Sequence, residues 1–466
     1  MPRAGRNLLI ECADEYNERV VFNLSPHLLA FARWVPTPRA AVPLLAAPLL
    51  LAALSACGED HPPPPTPTDM MITFDAGDGG QFDAGRDDGG PVDPDATVPD
   101  DGGGGGPCHL EGMALKLASD EIDHTVRLVD VAVSGSTFLV GWTDARSAVA
   151  DAYVYAWPEA AAMGAERRIT DDFAQTRDVQ LAARADGFVV GWVDNTLGSY
   201  EAFTVPVDLA GGRTTTPSRL TNNALREDSF CLTELAGGRS LAAWLESDGA
   251  GGPTIARGNA LDPAGVPLAG PHAATTSPLE PTTLALSALG TGAALAWNDA
   301  GTVYLHPIDS GGSGAATTVA INVEGNANGT PALALDETGG AVVFGALVAG
   351  ARAEIRIRTV GPTGATVGSE TILTPSPATG AEPSVAAYAT GYVIAYRSSA
   401  ADGTGSIQLA FATGTGEFSS RFEVATTTAI GGAPRVAVAA DGRIMVAWMM
   451  GSATGAAINA AKVICE

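Results

Sequence analysis

Lysine is nearly absent from this chain of 466 residues, with Lys116 and Lys462 the only two. Its 26 basic residues face 52 acidic ones, a formal charge of −26. A polyanion is held chiefly by cationic side chains that neutralise phosphates, so nucleic acid is not an expected partner. The same shortage removes any phosphate-gripping Gly-rich loop ending in Lys and any Ser-x-x-Lys nucleophile. Histidine is scarce as well, with six in all. His27 and His61 precede the folding region, and His109, His124, His272 and His306 are scattered without metal-ligand spacing. No His-Glu-x-x-His motif and no Gly-x-Ser-x-Gly elbow occurs, so neither a zinc site nor a hydrolase-type serine is expected. No cofactor is implied beyond a divalent cation at an acidic mouth.

Long apolar runs are also lacking. The best, residues 40–53 (AAVPLLAAPLLLAA), is too short for a membrane span and is interrupted by Pro43 and Pro48. It has the length of a signal-peptide core. Arg33 and Arg39 lie before it, and Leu54-Ser55-Ala56-Cys57 follows. This order of parts resembles the bacterial lipoprotein signal. The resemblance implies cleavage before Cys57, lipid on its thiol and acylation of its new amino group. Gly58, where some lipoproteins carry an Asp that retains them at the inner membrane, implies transfer to the outer membrane, on its periplasmic side or at the cell surface. Two or three acyl chains anchor a protein stably, since each buried methylene adds roughly 0.8 kcal/mol. Glu11, Asp14, Glu15 and Glu18 are foreign to a signal's basic start. Residues 1–34 therefore read as a mis-assigned start, with Val35 a candidate for the true one. Residues 1–56 form the signal region.

Residues 57–107 carry the lipidated cysteine and then a segment with almost nothing to bury. It is Pro-rich (PPPPTPTD), then built of Asp-Ala-Gly and Asp-Gly-Gly units, and residues 58–107 hold twelve acidic residues against one Arg. Such a composition is expected to stay disordered and to act as a spacer, with an end-to-end distance of about 40 Å. Its aspartates lack the ligand alternation and closing Glu of a calcium loop.

From Cys108 to Glu466 the chain repeats itself. An apolar run ends in one aromatic seven times, at Trp142, Trp192, Trp244, Trp297, Phe344, Tyr396 and Trp448, spaced 50, 52, 53, 47, 52 and 52 residues. A period near 50 filled with short strands is the signature of an all-β, seven-bladed β-propeller of four-stranded blades. The first two strands of a unit are apolar throughout because neighbouring blades cover both faces. The third alternates, as in Ile355, Ile357 and Thr359 against Arg356 and Arg358. A Gly turn then leads to a short polar fourth strand. The aromatics read as packing between blades.

The last unit stops 18 residues after Trp448, before its fourth strand. The segment 113–119 (MALKLAS) precedes the first unit without a partner and can supply that strand, closing the ring. Cys108 and Cys465 flank the same junction, so a disulfide between them would stand in for the missing hairpin turn. Export permits it, and loop entropy for about 360 enclosed residues gives an upper figure of roughly 5 to 6 kcal/mol. Cys12 falls in the signal region, and Cys231 reads as a buried structural thiol.

The repeat resembles those of seven-bladed propellers, and signal, spacer and propeller together resemble bacterial surface lipoproteins. The resemblance is architectural, because the signatures of WD40, kelch and sialidase-like blades are missing, so no enzymatic residue is carried over.

Asp144, Asp194, Asp248 and Asp299 follow the repeat aromatics, in the loop joining second and third strands. With Asp171, Asp172, Asn222, Asn223 and Asp228 from the neighbouring loops they outline an acidic mouth for a cation or sugar hydroxyls. Asp and Asn also cap such turns through their own backbone. The leading expectation is a monomeric, non-catalytic, membrane-tethered propeller that binds a protein or glycan partner. The alternatives are a glycan-active hydrolase or lyase using carboxylates at the mouth, and an envelope assembly scaffold.

Overall fold

The computed structural model describes residues 9–13, 19–23 and 108–465, except for segments at 119–126, 147–148, 159–162, 172–173, 197, 248–253, 276–282, 315–316, 324–325, 349–351, 375–378, 401–404, 428–431 and 453–454. Cys57 and residues 58–107, expected to form a spacer, lie outside them, and of residues 1–56, expected to be a signal region, only the antiparallel pair Leu9–Ala13 and Arg19–Asn23 is described. Every regular element among the described residues is a β-strand.

From residue 127 the chain builds one antiparallel meander after another, at 127–168, 177–219, 226–273, 285–320, 327–372 and 379–427, each with four strands paired in sequence order. A seventh sheet begins at residue 435. The first strand of each sheet packs against the first strand of the next, and the seventh against the first. The result is a closed seven-bladed β-propeller whose first strands surround the axis.

The second strands are sandwiched between neighbouring blades. All eight residues of Thr137–Asp144 and of Gly187–Asp194 are buried, as continuous apolar runs require when both faces are covered. The seven repeat aromatics are all buried, and Trp142, Trp192 and Trp297 stack on Tyr153, Phe203 and Tyr304 of the adjacent strand with ring centroids 5.8–6.2 Å apart. Gly191, just before Trp192, makes room for the next blade, since a Cβ there would lie 2.3 Å from the Phe230 ring.

The fourth strands are only two to four residues long in blades one to five. A side chain just beyond them prolongs the pairing in several blades. The Ala152, Ala202, Val303 and Ile355 amides donate to Thr170, Thr221, Asn322 and Thr374, at 2.8–3.1 Å.

Around the axis, polar side chains of one first strand accept amides of the next. Leu181 N–H donates to Asp130, Ser229 N–H to Asp178, Leu284 N–H to Ser229 and Val436 N–H to Ser384, at 2.6–3.2 Å. Burial lifts Asp130 to about 6, against the pull of Arg435 and of this amide. Cys231 is buried, donates to Leu284 O at 3.1 Å, and has its thiol pushed up by burial.

The two ends of the propeller segment close the ring. The third strand of blade seven, Gly455–Cys465, pairs with Cys108–Leu110 and again with Leu115–Lys116. The returning strand thus starts five residues before the segment expected from the sequence. Cys108 faces Cys465 in register and is bonded to it, in place of a hairpin turn. Across the seam the buried Lys462 Nζ donates to Pro158 O of blade one at 3.0 Å and lies 4.6 Å from the Trp157 ring centroid.

Cys465→Ser is expected to destabilise the fold by about 2–5 kcal/mol. The check is thermal unfolding of the variant against wild type, each with and without reductant, where only wild type should respond.

Candidate functional site

In an antiparallel meander the loop from second to third strand and the loop into the next blade's first strand lie at the same end of the sheet. Two carboxylate positions recur there. The first lies two residues after the repeat aromatic and holds Asp144, Asp194, Glu246 and Asp299. Asp248 of the expected mouth lies outside the described residues. In blade three the side chain at the repeat position is Glu246.

Asp144 and Asp194 are buried and fastened within their own loops. Asp144 accepts the Arg146 amide at 3.1 Å and pairs with its guanidinium at 2.7 Å, and Arg146 also reaches Glu166 at 2.9 Å. Asp194 accepts Trp192 Nε1 at 2.7 Å and the Thr196 amide at 3.0 Å. Asp299 is half-buried and opens the short turn to Thr302.

The second position opens the third strand. Asp151 in blade one is paired with Arg168 at 2.6 Å and accepts from Thr170 at 3.0 Å. Glu201 in blade two repeats the arrangement with Arg219 at 2.8 Å, Thr221 at 2.6 Å and Ser199 at 2.8 Å. These clips fasten the third strand to the fourth.

At the boundary of blades two and three the pattern gains a further carboxyl, Glu227, near the start of the first strand Arg226–Leu235. It stands directly opposite Glu246 in the strand register. Cross-strand partners have Cβ atoms about 4.5–5.5 Å apart, where two like charges repel. Glu201 adds a third carboxyl from blade two. Glu227 is fully buried, with no well-formed hydrogen bond to either carboxyl oxygen and only a weak one from the Asn223 side chain. Asn223 bridges the other two, its amide nitrogen 3.2 Å from Glu246 and its backbone N–H 3.4 Å from Glu201. Glu246 is further held by Arg257 at 2.9 Å. Burial, with the nearby Glu201 and Glu246, pushes Glu227 up to about 8, and Asn223 opposes the shift only in part. Burial and its two arginine-paired neighbours thus favour the protonated form of Glu227.

The rim beside it is cationic and aromatic. Arg177 donates to the Glu227 carbonyl at 2.7 Å and pairs with Asp228 at 2.6 Å. Its guanidinium lies 3.6 Å above the Tyr200 ring, and Arg226 lies 5.8 Å from that ring and 2.8 Å from Asp228. Of the residues expected at the mouth, the fold brings Asn223 and Asp228 into this group, whereas Asp144, Asp194 and Asp299 belong to other blades or loops. Glu201, Glu227, Glu246 and the arginines were not foreseen. The available signal was the charged triplet Arg226-Glu227-Asp228 where the repeat calls for the start of an apolar strand.

Neither a family of known proteins nor a curated protein matches the sequence. Solved structures share the fold. Trypanosoma rangeli sialidase is similar at 9% identity and a TM-score of 0.43, over 76% of this chain and 58% of that one. The polysaccharide lyase Uly1 is similar at 7% identity and 0.45, over 72% and 89%. Penicillium chrysogenum alpha-L-arabinanase is similar at 10% identity and 0.40, over 76% and 99%. The chain thus spans less than two thirds of the sialidase's length. The likeness is one of fold. The leading expectation of a non-catalytic binding propeller is corrected to this extent: the named neighbours are a sialidase, a polysaccharide lyase and an arabinanase, and at these identities and TM-scores they share the fold with this chain and no more.

A carboxyl whose folded-state pKa is raised takes up a proton on folding, so its contribution to stability falls as pH rises from the unfolded value of 4.5 through about 8. Glu227→Gln keeps the shape of the neutral acid and removes this loss. The variant is expected to match wild type near pH 4 and to melt several degrees higher at pH 9. Asp130 titrates in both proteins, so a melting-temperature difference measured across this range isolates Glu227.

Proposed function

We propose that this chain is a glycan-active hydrolase or lyase in which Glu227 donates a proton to the departing glycosidic oxygen. The observation that carries this reading is the buried carboxyl of Glu227, without a well-formed hydrogen bond and beside Glu201 and Glu246, whose environment favours its protonated form. Cleaving a glycosidic bond near pH 7 needs an acid that still holds its proton beside a carboxylate that does not, and environments that separate two such groups assign the roles. Glu201 and Glu246 are the neighbouring bases. The Asn223 amide between them holds the place of a substrate hydroxyl, and its displacement brings the sugar against Glu227. Such acid–base chemistry asks for no cofactor.

Glu227→Gln is expected to lower kcat by about 10²–10⁴-fold on a polysaccharide that the wild type cleaves. Wild-type kcat/KM should fall on the alkaline side with an apparent pKa near 8. New reducing ends without ultraviolet absorbance indicate hydrolysis, and an absorbing unsaturated end indicates elimination. Unchanged turnover in the variant removes Glu227 from the mechanism.

We further propose that the enzyme is exported and held at the outer membrane by lipid on Cys57. The support is the apolar run ending at Leu54-Ser55-Ala56-Cys57 and the acidic spacer after it. Mass spectrometry of protein extracted from membranes should find Cys57 as an acylated N-terminus, and Cys57→Ala should move the chain to the soluble fraction.

A further inference from the structure

We infer that the saccharide taken at this mouth is anionic, carrying a carboxylate or sulfate that lies against Arg177, Arg219 and Arg226. This rests on the reading of Glu227 as the acid and adds the class of substrate.

The first ground is the local balance of charge. The whole chain is strongly acidic, and at the equivalent ends of blades one and five carboxylates outnumber arginines. Blade one sets Arg146 and Arg168 against Asp144, Asp151 and Glu166, and blade five sets Arg356 against Glu354 and Glu370. Between blades two and three the numbers are equal. Arg177, Arg219, Arg226 and Arg257 face Asp178, Glu201, Asp228 and Glu246 once Glu227 holds its proton, in a partly buried place where charges interact more strongly than in water.

The second ground is unspent hydrogen-bonding capacity. The Nε atoms of Arg177 and Arg219 are buried without a partner, although both guanidinium groups hold a carboxylate through another nitrogen. Buried donors left unmade are costly, and an acceptor on the substrate would satisfy them. A planar guanidinium presents a fork that fits carboxylate or sulfate oxygens. The Tyr200 ring beneath Arg177 fixes that fork from one side. Asp228, shared between Arg177 and Arg226 and partly exposed, occupies the position that an incoming anion would take over.

The test uses the purified full chain with three probes: polygalacturonate, its fully methyl-esterified form with the same backbone and no charge, and dextran sulfate. Cleavage or binding of polygalacturonate at least tenfold better than of the ester, weakened by added salt, is the expected result. Preference for dextran sulfate instead assigns the anion as sulfate. Arg226→Gln should raise KM or Kd for the preferred polymer about tenfold, the scale of one charge-assisted hydrogen bond. Glu227-dependent cleavage of the ester with equal or greater efficiency overturns the inference and leaves the proposed function standing. Calorimetric binding of an anionic polymer without cleavage of any probe supports the anionic site and overturns the acid role of Glu227. Absence of both binding and cleavage of the charged polymers overturns the inference.

Discussion

The structure depends on closure of a ring. A blade is a small sheet with two apolar faces, and it is stable only between two neighbours, so an open row of seven would leave two faces and an edge exposed. Here the segment that precedes the first blade fills the gap. Residues 108–110 and 115–116 complete blade seven, the Cys108–Cys465 bond replaces the turn that a continuous chain would have made, and Lys462 crosses to blade one. The inner hydrogen bonds from Asp130, Asp178, Ser229 and Ser384 run from blade to blade and hold the first strands in fixed register.

The candidate site arises where the repeat is broken. In blade one the corresponding carboxylates each have an arginine or a threonine and act as clips between strands. Blade two keeps the clip in Glu201, Arg219 and Thr221, and blade three keeps the carboxylate after the aromatic in Glu246. Glu227 is additional, buried beside them and without a well-formed hydrogen bond of its own. A residue that raises the energy of the folded state without serving the fold is the kind of departure found at functional positions. The local charge pattern points the same way, since there the arginines equal the carboxyl groups facing them, whereas in blades one and five they are outnumbered.

Much of the architecture was legible in the residues. The 50-residue period of Trp142, Trp192, Trp244, Trp297, Phe344, Tyr396 and Trp448 reports blade number because each blade must present one large side chain at the same depth. The orphan strand and the two cysteines at the ends of the propeller segment report closure. The aspartates after the aromatics were visible too, yet their use was not. The same residue type serves as a turn cap in Asp194 and forms an ion pair in Asp144, and only the neighbouring side chains separate these roles.

The sequence by itself determined the ring, its number of blades and its closing disulfide, because period, polarity and cysteine placement act along the chain. Only the tertiary structure decided that Glu201, Glu227 and Glu246, from two blades and three strands, share one small volume, and that Glu227 alone among them lacks a cation. The physical reason is that a carboxyl's protonation is set by burial and by charges a few ångströms away, and those distances exist only after the blades have packed.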